Sequence, residues 1–399
     1  MERRFDLDLV RVCAFGVLVL YHVGMYYVTW DWHVNRVPAS PALEPFMLLS
    51  SPWRLSLLFL VSGAATTFLL GKRPHNFLGV RSWRLLVPLI FGMLVIVPPQ
   101  AYYELLDSRY PGGYRDGYLA FWGRYLLGDG TFCDDDGCLS LPTWNHLWFV
   151  AYLWCYTVAA WVLARLAPAA LDHASRLAAH AMSGIGVLAI PIALLATARM
   201  LLVGRFESTH GLVDDWFNHA QYFGVFLLGM LLARSEAPWS AMQSLRWIAL
   251  VMAALSYGFI AWYFFGAGFN EGRSPPDWLR TTQRILWAVN QWSMIVAIFG
   301  FAYRFRSVDI RALGYLTLAV FPIYILHQTV IVIASQWLKP LAIRPALEGP
   351  LLATITLAAC FGAYELIRRI RWLRPLFGLG QMPAESYSTK SESKQWGGA

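Results

Sequence analysis

Residues 9–28 read LVRVCAFGVLVLYHVGMYYV, an apolar run in which Arg11 and His22 are the only basic residues and no acid occurs. About 20 consecutive apolar residues suffice for a helix to cross the hydrocarbon core of a bilayer. Runs of the same kind recur at 53–70, 85–103, 146–166, 184–203 and 221–233, the last extending back to Trp216 if its aromatic start is included. Four more follow at 247–265, 285–303, 314–337 and 351–370. The expected fold is all-α: a polytopic integral membrane protein with about ten transmembrane helices. Pro88, Pro98, Pro191 and Pro322 fall within or beside these runs, which membrane helices permit when neighbouring groups satisfy the freed carbonyls. No internal repeat marks the two-fold pseudo-symmetry of many secondary transporters.

Composition agrees. Of 399 residues, 57% are hydrophobic and only 14% charged, whereas soluble domains carry about a quarter charged residues. The net charge of +8 does not indicate nucleic acid, because the basic residues form short clusters between apolar runs rather than a face or stripe. Arg3 and Arg4 form one cluster, Lys72, Arg73, Arg81 and Arg84 a second, and Arg304, Arg306 and Arg311 a third. Arg368, Arg369, Arg371 and Arg374 follow the last run. With ten spans all of these share one side, and the opposite side receives Asp129, Asp134 to Asp136, Glu207, Asp214 and Asp215. Positive-inside bias then makes both termini cytoplasmic. The first apolar run is long enough for a retained span and is not read as a cleavable signal.

That topology places the loop at roughly 104–145 outside the cytoplasm, where Cys133 and Cys138 can close a small disulfide. Cys13, Cys155 and Cys360 lie in apolar runs and read as small hydrophobes. Residues 1–382 are expected to form the membrane domain. Residues 383–399, rich in Ser, Lys and Glu, read as a disordered cytoplasmic tail.

Ionisable residues inside a span are costly and are candidate functional groups. Arg11 and His22 are eleven residues apart, close to three helical turns, so they share one face about 16 Å apart along the axis. Asp8 stands one turn before Arg11 and can pair with it. The plain reading is a structural ion pair plus a hydrogen-bonded core histidine; the sharper one is an acid–base ladder leading into the membrane. His327 lies at a similar depth in the ninth run with Tyr324 one turn away. Either it packs, or the two imidazoles converge on one cavity.

Asn145, His146 and Trp148 stand at the start of the fourth run, as an interfacial belt or as a surface for a hydroxyl-rich sugar. Arg54 and Arg199 lie near outer span ends, where they snorkel or neutralise an anionic substrate group. Lys72, Arg73, Arg81 and Arg84 satisfy positive-inside bias and equally suit the phosphates of a nucleotide-bearing donor. No Walker loop, zinc-binding His-Glu-x-x-His or Gly-x-Ser-x-Gly elbow is present in usable context. The Cys133-Asp-Asp-Asp-Gly-Cys138 stretch reads as a solvated acidic turn, and no metal is expected.

These residues resemble the acyltransferase-3 family of membrane O-acyltransferases. Asp8, Arg11 and His22 are similar to its amino-terminal Asp-x-x-Arg…His signature, and Phe59-Leu-Val-Ser62-Gly63 to its second-span motif. Arg81-Ser-Trp-Arg84-Leu-Leu-Val-Pro88 resembles its basic loop; His146-Leu-Trp-Phe and Tyr324-Ile-Leu-His327 resemble later motifs. Trp32-His33-Val34-Asn35 is similar to the branch that adds succinyl groups to osmoregulated periplasmic glucans. The resemblance implies a multi-pass protein of the bacterial inner membrane. Such a protein transfers an acyl group from cytoplasmic succinyl-CoA or acetyl-CoA, a co-substrate rather than a bound cofactor, to an extracytoplasmic glycan. It also implies His22 as general base, with Asp8 and Arg11 keeping the first helix in register. Competing expectations are a proton-coupled transporter using His22 and His327, and a purely structural membrane subunit. The oligomeric state is not specified.

Overall fold

A computed structural model describes residues 4–72, 76–107, 114–134, 137–269, 272–308 and 310–380. The tail at 383–399, Arg73, and the acidic tip Asp135–Asp136 lie outside the described residues. Helices follow the apolar runs: α1 Phe5–Met25, α2 Arg54–Lys72, α3 Phe77–Leu106 and α4 Asn145–Leu166. Next come α5 Pro168–Ala181, α6 Gly186–Leu202, α7 Trp216–Leu232, α8 Glu236–Gly266, α9 Asp277–Phe305, α10 Arg311–Leu341 and α11 Pro345–Arg369. Among the described residues, eight of these are long and apolar enough to cross a membrane, or nine if the bent pair α5–α6 counts as one span. The shortfall from ten arises at α6 and α7, which have 17 residues each. The protein is therefore a helical, multi-pass membrane protein.

One expected loop position needs correction, and one helix lies outside every expected run. Arg81 and Arg84 do not sit in a loop; α3 begins at Phe77 and carries both in its first turns. The segment between α4 and α6 is not plain connector but α5, a surface helix without a buried residue that turns 115° from α6. Its Asp172, His173, Ser175 and Arg176 make it far more polar than the spans around it.

α8 packs along α9, α7 along α2, α6 against α9, and α10 against both α1 and α11. The α2–α7 contact depends on glycine. A Cβ at Gly63 would strike the Phe226 carbonyl, and one at Gly229 the Leu60 carbonyl, so the two backbones touch as small residues allow between membrane helices. Gly229→Val is expected to force the pair apart at a cost of about 1–3 kcal/mol. A lower midpoint of thermal unfolding in detergent would register it, and an unchanged midpoint would contradict this packing.

α1 and α10 run parallel. The Phe5 N–H donates to the Arg306 carbonyl at 3.2 Å near their starts, and Val23 and Tyr27 pack with Ile331 and Leu338 towards their ends.

Inside α3 a π-helical turn at Gly92–Ile96 precedes Pro98 and frees carbonyls from the regular ladder. Side chains take them up. Tyr125 Oη donates to Met93 O at 2.9 Å, Trp122 Nε1 to Leu94 O at 2.8 Å, and Thr329 Oγ1 to Ile96 O at 2.7 Å. The two aromatics belong to a short helix, Tyr118–Leu126, which covers this end of the bundle. Cys133 and Cys138 in the same loop are joined by a disulfide. Hydrogen bonds from Arg124 and Thr131 pull the Asp129 carboxyl down to about 2. That link is complete above the ordinary carboxylate range and is lost only as pH falls through about 2.

Candidate active site

His22 of α1 meets His327 of α10, with Nδ1 of the first 2.8 Å from Nε2 of the second. The other ring nitrogen of His327, Nδ1, is 2.7 Å from the Tyr324 carbonyl. A carbonyl only accepts, so His327 carries its proton on Nδ1 and offers a lone pair at Nε2. His22 must then donate from Nδ1, which leaves its Nε2 as a lone pair. The geometry thus fixes both tautomers without a counter-charge. His327 is fully buried whereas His22 is only half-buried, so the open nitrogen belongs to the ring that can be reached.

A third histidine joins them. The His146 ring lies 5.2 Å from that of His327 and 5.6 Å from that of Tyr324. Its Nε2 is 3.2 Å from the Ile325 carbonyl, and Gln100 Nε2 stands 3.4 Å from its Nδ1. Tyr324 Oη donates to the His146 carbonyl. Gln100 also donates to Thr329 Oγ1 at 2.7 Å and accepts from Asn145 and Gln328 at 3.0 and 3.1 Å. Four helices are thereby pinned around the histidines. Asn145 joins this network at φ 39°. Trp148 is buried, with His210 stacked on its ring at 4.4 Å.

A cavity of about 810 Å³ approaches the same place from the basic end of the bundle. Its mouth carries Arg4, Asp8, Arg11, Lys72, Arg81, Arg84 and Arg234. Deeper, Phe15, Leu58, Phe149 and Phe321 line it, and Tyr324 is among its walls. Arg11 Nη2 donates to the Thr317 carbonyl of α10 at 2.9 Å. Arg11 and His22 therefore mark two contacts of one parallel helix pair, the first in the cavity and the second past Tyr324. His22 does not line this cavity.

At the opposite end, Arg54 is 7% exposed, and its guanidinium lies 3.3 Å from the centre of the Tyr21 ring, next to His22. Its hydrogen bonds are long, 3.3 Å to Ser51 Oγ and 3.5 Å to Ser50 Oγ, and its Nε has none. Arg199 lies 4.5 Å from the Trp287 ring centre, and its Nε likewise lacks a partner. A buried cation without a carboxylate partner is expensive unless something else supplies the negative charge.

Comparison with known proteins decides the family. The model of an acyltransferase domain, that of the acyltransferase-3 family, matches residues 4–365. The chain belongs to the acyltransferase-3 family. It is similar to "Glucans biosynthesis protein C" of Escherichia coli O6:K15:H31 (strain 536 / UPEC), with 21% identity over 347 residues covering 85% of each chain. It is also similar to the proteins of that name from Escherichia coli K12 and Shigella dysenteriae serotype 1, at 20% identity over 351 residues and the same coverage. No solved structure matches it.

In this membrane acyltransferase the family signature on α1 falls into two places: Asp8 and Arg11 in the basic cavity, His22 against His327. The Trp32–Asn35 segment does not touch the cavity. Asn35 Nδ2 donates to the carbonyls of Met25, Val28 and Trp30 at 3.1–3.3 Å, and His33 Nδ1 lies 2.5 Å from Glu104. These contacts fasten the end of α1 to the end of α3. Gln100, Gln328 and Thr329 escaped the sequence reading because a search for ionisable groups passes over neutral amides and hydroxyls; their place in apolar runs beside Pro98 and His327 was the available signal.

His327→Ala is expected to leave the His22 Nδ1–H without its acceptor and to lower kcat for acyl transfer about tenfold, since a buried donor left unpaired costs about 1–3 kcal/mol. KM for the donor should stay put. A matching rise in KM, with kcat unchanged, would deny His327 this positioning role.

Proposed function

We propose that this acyltransferase transfers an acyl group from acyl-CoA, taken up at the basic end, to a hydroxyl of a glycan arriving from the opposite side. The observation that carries the proposal is a basic cavity with Tyr324 in its wall, one turn of α10 from a paired His327 and His22. Lys72, Arg81 and Arg84 would pair the donor's phosphates, and the apolar walls would take its thin arm. His22 Nε2 would accept the proton as the sugar oxygen attacks the thioester carbonyl. The C–O bond forms, the C–S bond breaks, and the same proton passes to the leaving thiolate, so one ester and one free thiol result.

Ten spans with both termini cytoplasmic fit this direction of transfer. Parallel α1 and α10 require an even number of crossings to separate their starts, so α6 and α7 cross together or not at all. The disulfide in the loop before α4 suits an oxidising side, and the relatives' organisms point to a bacterial inner membrane. Residues 1–382 would then form the membrane domain and 383–399 a cytoplasmic tail.

The relatives' name favours a glucan acceptor. A succinyl donor is favoured by Arg54, which has no carboxylate partner among the described residues, leaves its Nε unbonded and sits on the ring of Tyr21, the residue before His22. Arg199 sits against Trp287 and Phe217 instead. Mass spectrometry of periplasmic and surface glycans from cells with and without this gene is the decisive test. A succinyl increment of the glucans with the gene alone is expected. An increment of acetyl would replace the donor assignment, and an unmodified glycan pool with no acyl-CoA consumed would favour a transporter that uses the two histidines as a proton relay.

A further inference from the structure

Beside the large cavity lies a second one of about 290 Å³. Thr67, Gly71 and Arg234 line both, so the two are neighbouring chambers with a shared wall. At that wall the Arg234 guanidinium lies against Gly71, where a Cβ would stand 3.7 Å from its Nη2. One side of the smaller chamber is the half-buried Trp161 indole of α4, with the Arg165 guanidinium 5.8 Å from its ring centre. The other side is α5, the surface helix folded across this end of the bundle, which presents Asp172 and Ser175.

We propose that this chamber holds the nucleotide end of the donor, an adenosine bearing a 3′-phosphate, while the pantetheine arm runs through the large cavity towards Tyr324. The assignment rests on the acyl-CoA reading above and adds the subsite that selects the carrier. A purine stacks on an indole face, and the two guanidiniums of Arg165 and Arg234 suit a phosphate dianion. Asp172 accepts from the exocyclic amine and Ser175 meets the ribose. The carboxylate gives the amine edge of a purine an acceptor that an anionic lipid headgroup would not use. The surface helix thereby gains a purpose that membrane crossing does not give it.

The test is calorimetric binding to the full chain in nanodiscs, comparing CoA with CoA that lacks its 3′-phosphate. Wild type is expected to bind CoA about tenfold more tightly or better, as charge-assisted hydrogen bonds to one phosphate allow. R165Q/R234Q should erase that preference by weakening CoA alone. Trp161→Ala should weaken both ligands, and Trp161→Phe should restore them. Equal affinity of the two ligands for wild type, or a preference that survives R165Q/R234Q, overturns this subsite while leaving the acyl-CoA donor in place. Absence of any CoA binding overturns both together. Competition by phosphatidylglycerol but not by adenosine 3′,5′-bisphosphate gives the chamber to lipid and overturns the proposal.

Discussion

His22→Gln is expected to reduce kcat for acyl transfer by about 10²- to 10⁴-fold, the range of a lost general base. Glutamine is the informative replacement because its amide can still donate to His327 Nε2, where His22 Nδ1 now stands at 2.8 Å. The α1–α10 contact is preserved while the proton acceptor is removed. KM for the thioester should change little, since His22 does not line the donor cavity. Initial rates in membranes with matched protein levels measure this. Retention of more than a tenth of wild-type turnover by His22→Gln would remove His22 from the chemistry and leave it a structural partner of His327.

The second large effect is on selectivity. Arg54→Gln is expected to depress succinyl transfer about 30- to 100-fold, the value of a desolvated charge-assisted pair at roughly 2–3 kcal/mol. Acetyl transfer should hold within about twofold, because an acetyl group offers no carboxylate to the vacated place. The burial of Arg54, its unpartnered Nε and its seat on Tyr21 make it the group with most to gain from an incoming anion. Arg199→Gln provides the contrast, with a smaller effect expected for a cation that sits against Trp287 and Phe217 and not on the residue beside His22. Parallel donor assays with succinyl-CoA and acetyl-CoA decide it. Equal losses for both donors would make Arg54 a structural residue.

Particular helices show how far the chain could be read directly. The runs 9–28 and 314–337 coincide with helices at Phe5–Met25 and Arg311–Leu341, the first running three residues past its helix end, because hydropathy along a single segment already states whether water or lipid surrounds it. The α3 start was misplaced by the same rule. Arg81 and Arg84 look like loop residues to a hydropathy window, yet a helix can continue past the apolar region while long side chains reach a polar cavity. α5 was missed because an amphipathic surface helix has neither span length nor loop composition.

Within the site, the sequence located His22 and His327 as costly polar groups in apolar runs, read His146 as a residue of the outer interface, and by helical period alone placed Arg11 and His22 on one face. Only the packing of α1 beside α10 brought Nδ1 of His22 to Nε2 of His327, and only the Tyr324 carbonyl fixed which nitrogen stays open. The same packing drew Gln100 and Thr329 into the cluster and enclosed Trp148 under His210. Local composition determined that this chain crosses a membrane many times and that a few buried polar side chains need partners. Tertiary structure decided which partners they find, since that depends on helix direction, rotation and close approach at glycines such as Gly63 and Gly229, none of which a single segment encodes.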